Sequence, residues 1–406
     1  MWAALGNGVT GGQWYSLMEK VTAPRPLAAA WKRVAAKKGA AGVDGISIAR
    51  FKARASHDLA EIERDLRAGR YQPLPARRVQ RPKGQGKTRP LGLSAVKDRM
   101  VPTAVKLVLA PIFARDFLPC NYGFQPGRRC QDALREVARW RKAGYTWVVD
   151  VDVEQSVDSI PNAPLLARVA DKVSDGTLLD LVQRFLDQDI LEGMHQWSPL
   201  AGVPQGSGLS PLLSNLYLHP LDRVVSHAGH VIVRYCDDLV LLCRTQADAE
   251  AALALVQTWT AQHGVRLHPE KTRMVDGGQR GAGFDFLGYR FAGGRRDVRP
   301  KSLQGLREKI RHLTGRTRSG SLAQIIAELH PLLRGWFGDF KHARFTTFRD
   351  IDGFVRRRLR ALLRQRVKRP SLGRTLKAHQ RWPNAFFAAQ GLFTLHEAYG
   401  RARQSR

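Results

Sequence analysis

At 406 residues and 43% hydrophobic, the chain is long enough for two or three packed subdomains with a sizeable core. Its 66 Lys and Arg against 35 Asp and Glu leave a formal charge of +31, which asks for a polyanionic partner bound in a salt-dependent way. No run of 18 apolar residues occurs and the basic charge is spread along the whole chain, so neither a membrane span nor a membrane-surface role is expected.

The four cysteines form no CxxC pair, which argues against a zinc module. With no signal-peptide pattern in the first 20 residues, they point to a reducing, cytoplasmic setting. Residues 1–25 are Gly-rich and read as a loose leader. Leu27 to Lys38 reads as a helix stopped by GAAGVDGIS at 39–47, and His57 to Ala68 as a second helix ended by Gly69. Residues 71–93 then interleave four prolines and three glycines with Arg77, Arg78, Arg81, Lys83, Lys87 and Arg89. An extended basic hairpin of this kind suits a triphosphate, because it can close on an anion and release it; the alternative is a solvated charge run. Ser94 is expected to cap a long helix reaching about Asp116, with Val96, Met100, Ala104, Val105, Val108 and Ile112 as its buried stripe.

The Gly/Pro turn NYGFQPGRRCQDAL (121–134) delivers Arg128 and Arg129 to a helix start, where they could meet a nucleic-acid backbone or stay at the surface. YTWVVDVDV (145–153) alternates like a half-buried strand and puts Asp150 and Asp152 on one face. Two helices (about 163–172 and 175–189) and a hairpin-like segment to Leu200 are expected next. AGVPQGSGLSPLLSNLYLHPLDR (201–223) is a small-residue loop entering a helix; it lets a ligand approach the backbone closely and offers Gln205 as donor and acceptor.

HVIVRYCDDLVLLC (230–243) sets two carboxylates, Asp237 and Asp238, at a tight turn between apolar strands. Such a pair repels itself unless a divalent cation neutralises it, though an ordinary polar turn would read the same way in isolation. A helix at about 246–263 and strands in 268–275 and 283–291 follow. From about Ser302 three helices carry dense arginine, including Arg356, Arg357, Arg358, Arg360, Arg364 and Arg366, with Trp336, Phe337 and Phe340 among them. That mix suits a nucleic-acid duplex; a basic bundle with an aromatic core explains the aromatics but not the arginine density.

Asp150/Asp152 and Asp237/Asp238 lie about 85 residues apart, yet neighbouring strands of one sheet would unite them around two divalent ions. The ordered blocks RPLGLSAVKDR, YGFQPGR, VVDVDVEQSVDSI, GVPQGSGLSPLLSNLYLHPLDR, RYCDDLVLL, EKT and FDFLGYRF resemble those of the group II intron-encoded reverse transcriptase/maturase family. GAAGVDG, PLLRGWFGDF and RWPNAFFAAQGLFTL resemble its flanking pieces, so the resemblance runs from about Ala29 to the C-terminus.

The resemblance implies an α+β right-hand polymerase: N-terminal extension and fingers at 26–140, an antiparallel-sheet palm at 141–300, and a helical thumb and maturase-like domain at 301–406. It implies Asp152, Asp237 and Asp238 as catalytic metal ligands, with the Val153 carbonyl as a further ligand and two Mg²⁺ ions (or Mn²⁺). Lys83 and Arg89 would grip the triphosphate, Gln205 and Val157 would line the nucleotide pocket, and Lys271 would act as a general acid. Arg128, Arg129, Arg357, Arg360 and Arg364 are the expected nucleic-acid contacts. The implied partners are intron or template RNA, a DNA primer or target, and dNTPs, in a bacterial, nucleoid- or RNA-associated setting. Alternatives within the class are a domesticated enzyme of DNA repair or strand annealing, or one serving CRISPR or phage defence. A non-catalytic RNA chaperone is the alternative outside it, which three clustered carboxylates on so basic a chain disfavour.

Three features depart from the family pattern. Cys236 stands where Ala is usual, GSGLSP stands where a GGVISP-like run is usual, and Val157 stands five residues after Asp152, where an aromatic usually blocks a ribose 2′-hydroxyl. The smaller Val157 side chain predicts weak discrimination against ribonucleotides. Steady-state incorporation should show a lower dNTP-to-rNTP ratio for the natural chain than for Val157→Phe; equal and strong dNTP preference in both would overturn this.

Overall fold

The computed structural model describes residues 12–84, 87–153, 160–199, 201–202, 206–368 and 371–404. The segment expected to be loose carries a helix, α1 (Leu17–Thr22), which joins α2 (Pro24–Ala36). Leu17 and Val21 are fully buried, so a few apolar side chains anchor what the glycine-rich start suggested was free. Helix α3 (Ile48–Ala53) is capped by Ser47, whose side chain accepts from the Arg50 amide. Helix α4 (Ala55–Arg67) buries Ile62 and Leu66 and gives way to Gly69 at φ +66°.

The basic stretch forms the expected hairpin, β1 (Ala76–Gly84) with β2 (Lys87–Leu93), pairing Arg81 with Arg89. Helix α5 (Val96–Ala114) buries the predicted stripe, but Ser94 does not cap it. Ala95 holds the cap position without a side-chain bond, and Ser94 is itself buried. The first turn of α5 is fixed instead by buried Asp98, which accepts from Tyr71 Oη at 2.6 Å and the Leu74 amide at 3.0 Å. Burial pushes the Asp98 carboxyl up to about 6 despite both donors.

Next come α6 (Cys130–Lys142) and β3 (Trp147–Asp152). Val148, Val149 and Val151 are buried while Asp150 and Asp152 stay partly exposed, as the alternation requires. Helices α7 (Asn162–Ala170) and α8 (Gly176–Leu186) lead to the short strands β4 (Ile190–Glu192) and β5 (His195–Trp197). Helix α9 (Ser210–His227) precedes the central hairpin, β6 (Val231–Tyr235) and β7 (Asp238–Cys243), and α10 (Gln246–Gln262) follows it. Then come β8 (Arg273–Asp276), β9 (Gly283–Phe286), β10 (Tyr289–Ala292) and β11 (Arg295–Val298). The remainder is helical: α11 (Pro300–Leu313), α12 (Leu322–Phe340), α13 (Phe345–Arg366), α14 (Leu376–Arg381), α15 (Asn384–Ala389) and α16 (Leu395–Gln404).

Three sheets result, ordered β2-β1-β4-β5, β6-β7-β3-β8 and β11-β10-β9. The chain divides into two units, Met1–Val137 with Val151–Met274, and Ala138–Asp150 with Val275–Arg406. It therefore passes from one unit to the other within α6, β3 and β8.

The core of the first unit contains a fully buried charge pair. Arg234, next to the last residue of β6, donates from Nε and Nη2 to the two oxygens of Asp222 at 2.7 and 2.5 Å, and both side chains are sealed from solvent. Its Nη1 donates to Asn215 Oδ1 at 2.8 Å and to the Cys236 carbonyl at 3.0 Å. The Arg234 backbone also pairs with 120–122: its amide donates to the Cys120 carbonyl, and its carbonyl accepts from the Tyr122 amide.

In the second unit, the Gly277 amide donates to the Thr146 carbonyl, and Arg141 donates to the Gly277 carbonyl at 2.8 Å. Phe284 and Phe291 stack at 5.0 Å between β9 and β10. Among the helices, Asp352 of α13 accepts from the Leu395 and His396 amides, capping α16. Replacing Arg234 by Met leaves Asp222 buried without its cation, so urea unfolding should show a loss of about 3–5 kcal/mol. The double variant Arg234→Met/Asp222→Leu should recover most of it.

Candidate active site

The β6–β7 register pairs Tyr235 with Asp238, which leaves Cys236 and Asp237 as a two-residue hairpin loop. Cys236 takes a positive φ of 61°, as the first loop position of such a tight hairpin can demand. Nothing in the Cys236 side chain favours that conformation, so its surroundings must hold it. Arg234 grips the Cys236 carbonyl from inside the core. Gly123 presses on the turn from outside: a Cβ there would lie 2.4 Å from the Cys236 amide nitrogen and 2.6 Å from its Sγ. Asn215 joins these supports, donating to the Gly123 carbonyl at 2.7 Å while accepting from Arg234. The turn carrying Asp237 and Asp238 is thus bound to a buried network rather than left to its own propensity. Burial and the Asp237 carboxylate push the Cys236 thiol up to about 12, so it stays protonated beside the two acids.

Strand β7, which begins at Asp238, is the hydrogen-bonded neighbour of β3, which ends at Asp152. Asp152 is fixed by its main chain: its carbonyl accepts from the His268 amide at 2.8 Å, and its amide donates to Thr272 Oγ1 at 3.4 Å. Lys271 Nζ lies 3.3 Å from Asp152 Oδ1. Both side chains are more than a third exposed, so this pair orients groups rather than stabilising the fold. Val153 is buried and bridges Leu267. The structure therefore brings Asp152 to Lys271 and Asp237 to Asp238, and sets the two pairs on adjoining strands. Carboxylate and carbonyl oxygens are the donor set that hard divalent cations prefer.

Other expected site residues divide. Val157 and Gln205 lie outside the described residues, as do the side chains of Lys83 and Arg89. Arg129 sits at the surface, its amide donating to Asp132. Arg128 turns back on its own loop, donating to the Pro119 and Asn121 carbonyls and lying 5.3 Å from the Tyr122 ring centroid. Arg360 is a clearer correction to the expected nucleic-acid contact. It is 3% exposed and donates to the Trp382 carbonyl and Asn384 Oδ1, bracing the chain between α14 and α15. A guanidinium so engaged has no face left for a duplex. Arg357 lies 5.2 Å from the Phe354 ring centroid, and burial with Arg374, Arg307 and Arg311 holds it below the usual arginine range.

Arg234, Asp222, Asn215 and Gly123 were not legible as site residues. The available signal was a lone arginine at an inward position of an otherwise apolar strand. Among the described residues, the three side chains whose ligand atoms lie within 4.8 Å of one another are His57, Asp58 and Glu61 on α4, not the three aspartates.

Residues 81–291 match the family model described as reverse transcriptase (RNA-dependent DNA polymerase). The chain belongs to the reverse transcriptase family. Its mixed helical and sheet structure is the right-hand polymerase fold of that family, whose members use divalent metal ions. Residues 303–382 of this reverse transcriptase match the maturase-specific domain of group II introns.

Protein YkfC of Escherichia coli (strain K12) is 36% identical over 213 residues, 51% of this chain and 56% of that protein. The group II intron-encoded protein LtrA of Lactococcus lactis subsp. cremoris is 34% identical over 168 residues, 41% of this chain and 28% of that protein. The matches thus span about half the length of these curated relatives, or less. Among solved structures, a partial Cas6-RT-Cas1–Cas2 complex is similar at 25% identity and a TM-score of 0.39, covering 61% of this chain and 41% of that one. The telomerase of Candida albicans is similar at 11% identity and a TM-score of 0.43, covering 78% and 64%. No helix among the described residues is long and apolar enough to cross a membrane.

Gly123→Ala should disturb the turn without emptying the core. We expect single-nucleotide extension to slow about a hundredfold, as an ångström-scale misplacement of a reacting group does, while circular dichroism stays native. Unchanged turnover would show that the turn tolerates the extra methyl group.

Proposed function

We propose that the chain is an RNA-directed DNA polymerase of the group II intron type, extending a primer 3′-hydroxyl on an RNA template. The observation that carries this reading is the pairing of β7, which starts at Asp238, with β3, which ends at Asp152. Three carboxylates on or beside two neighbouring strands, in a chain of charge +31, have a use where divalent cations and a triphosphate meet. Asp152, Asp237 and Asp238, with the Val153 carbonyl, would hold two Mg²⁺ or Mn²⁺ ions, which supply activation of the 3′-hydroxyl and charge neutralisation on the departing pyrophosphate.

The chain's own residues do the rest. Lys271, 3.3 Å from Asp152, offers an ammonium proton close to where the pyrophosphate would leave. Lys83 and Arg89, on the paired strands β1 and β2, would grip the triphosphate, and Gln205 would line the nucleotide pocket. Arg129, Arg357 and Arg364 remain candidates for the nucleic-acid backbone. The match of 303–382 to a maturase-specific domain supports intron RNA as a partner alongside template RNA, DNA primer and dNTPs. A nucleic-acid-associated place in the bacterial cytoplasm fits that set.

Primer extension on an RNA template with Mg²⁺ or Mn²⁺ tests the reading. The natural chain should extend the primer, and Asp237→Ala/Asp238→Ala should lower the rate at least about a thousandfold while RNA binding is retained. Extension that survives the double substitution would remove these residues from the site. RNA binding without extension under either metal would make the chain an RNA chaperone.

A further inference from the structure

Next to the β6–β7 turn the first unit holds a cavity of about 650 Å³, within the range of small-ligand sites. Its wall is apolar, formed by Leu107, Ala110 and Phe117 among others, and it is edged by two cations, Arg33 and Lys106. No carboxylate is among its described lining residues. Lys106 is half buried; burial and the nearby Lys37 and Arg33 hold its ammonium below the usual lysine range. Its Nζ stands 5.4 Å from the Phe124 ring centroid.

Phe124 is the unusual member. It is 57% exposed and adopts φ 55°, a left-handed conformation that bulky side chains avoid. An aromatic ring held open to solvent at that cost, beside uncompensated cations and an apolar wall, matches a ligand with a flat ring and a phosphate. The cavity also abuts the supports of the acidic turn. Phe124 lies 6.5 Å from the Tyr235 ring, and the cavity-lining Asn215 donates to the Gly123 carbonyl and accepts from Arg234.

We propose that this cavity takes one unpaired nucleotide of a bound strand, its base against Phe124 and the apolar wall and its phosphate between Lys106 and Arg33. It rests on the polymerase reading only for the source of the nucleotide, a polynucleotide rather than a free mononucleotide. A filled cavity would sit against the frame that holds Asp237 and Asp238, so strand placement and turn geometry would be linked.

The test uses the full chain and a fluorescent single-stranded uridine decamer carrying one 5-iodouridine. Phe124→Ala and Lys106→Gln should each weaken decamer binding about tenfold, and Phe124→Trp should keep it. Ultraviolet cross-linking should place the iodouridine on the peptide that contains Phe124. Unchanged affinity in both weakening variants, cross-links confined to other peptides, or equal loss in Phe124→Trp would overturn the proposal. Free UMP competing as well as the unlabelled decamer would overturn the strand as source. Repeated in the Asp237→Ala/Asp238→Ala chain, the assay is blind to chemistry. A failed polymerase reading would then leave the cross-link in place, and a failed cross-link would leave the polymerase reading untouched.

Discussion

The acidic turn depends on a guanidinium that never meets solvent. Arg234 spends two nitrogens on Asp222 and the third on Asn215 and the carbonyl of Cys236, so one side chain ties helix α9, strand β6 and the hairpin loop together. A charge this deep is tolerated only because a carboxylate and two further acceptors meet it. A hydrophobic pair of the same volume would fill the space as well. It would not hold the Cys236 carbonyl, and Cys236 would lose one of the two constraints that keep it at positive φ. The other constraint is steric, the backbone of Gly123 lying where no Cβ fits. Two carboxylates that repel each other are therefore carried on a turn whose shape is set from behind and from the side.

Much of this was legible in the sequence wherever a local period carries the information. Alternation in WVVDVD gave β3 and the shared face of Asp150 and Asp152, and the apolar flanks of Asp237-Asp238 gave the hairpin. The three arginine-rich helices expected after residue 300 also formed, followed by three shorter ones, α14 to α16, that were not expected. Contacts that depend on where a long side chain points were not legible. Arg234 and Asp222 are 12 residues apart on different elements, and neither position announces its partner. Ser94 has the right chemistry for a cap, but Asp98, four residues on, already fixes the turn from inside. Residues 17–22 looked loose because the leader's composition is glycine-rich overall, while four buried residues, Leu17, Met18, Val21 and Thr22, decide its packing.

Arginine density after residue 350 has two physical origins, which composition alone merges. Arg360 is an internal strut, and Arg358 similarly donates to the Thr314 hydroxyl and carbonyl, tying α13 to the end of α11. Arg357 belongs to a different group: with Arg307 and Arg311 it surrounds the ring of Phe354, at 5.2, 6.0 and 5.6 Å from its centroid. Four arginines, Arg307, Arg311, Arg349 and Arg357, share this cleft with the one acid Asp350, an excess of positive charge that an external polyanion would relieve. Part of the formal +31 is thus consumed inside the protein, and part is gathered around Phe354.

The chain crosses between its two units inside regular elements, and this orders events during synthesis. Ala138–Asp150 leaves the ribosome early, yet its partners in the same unit begin only at Val275. The Thr146 carbonyl must wait for the Gly277 amide, and Arg141 for the Gly277 carbonyl, more than a hundred residues later. At 5–20 residues per second that interval is on the order of ten seconds. During it, the second half of α6 lacks the rest of its unit, and β3 has β7 but not β8 of its two sheet neighbours. The chain leading into the strand that ends at Asp152 is consequently tied down only once residue 277 has emerged, after β7 is already available to pair with that strand.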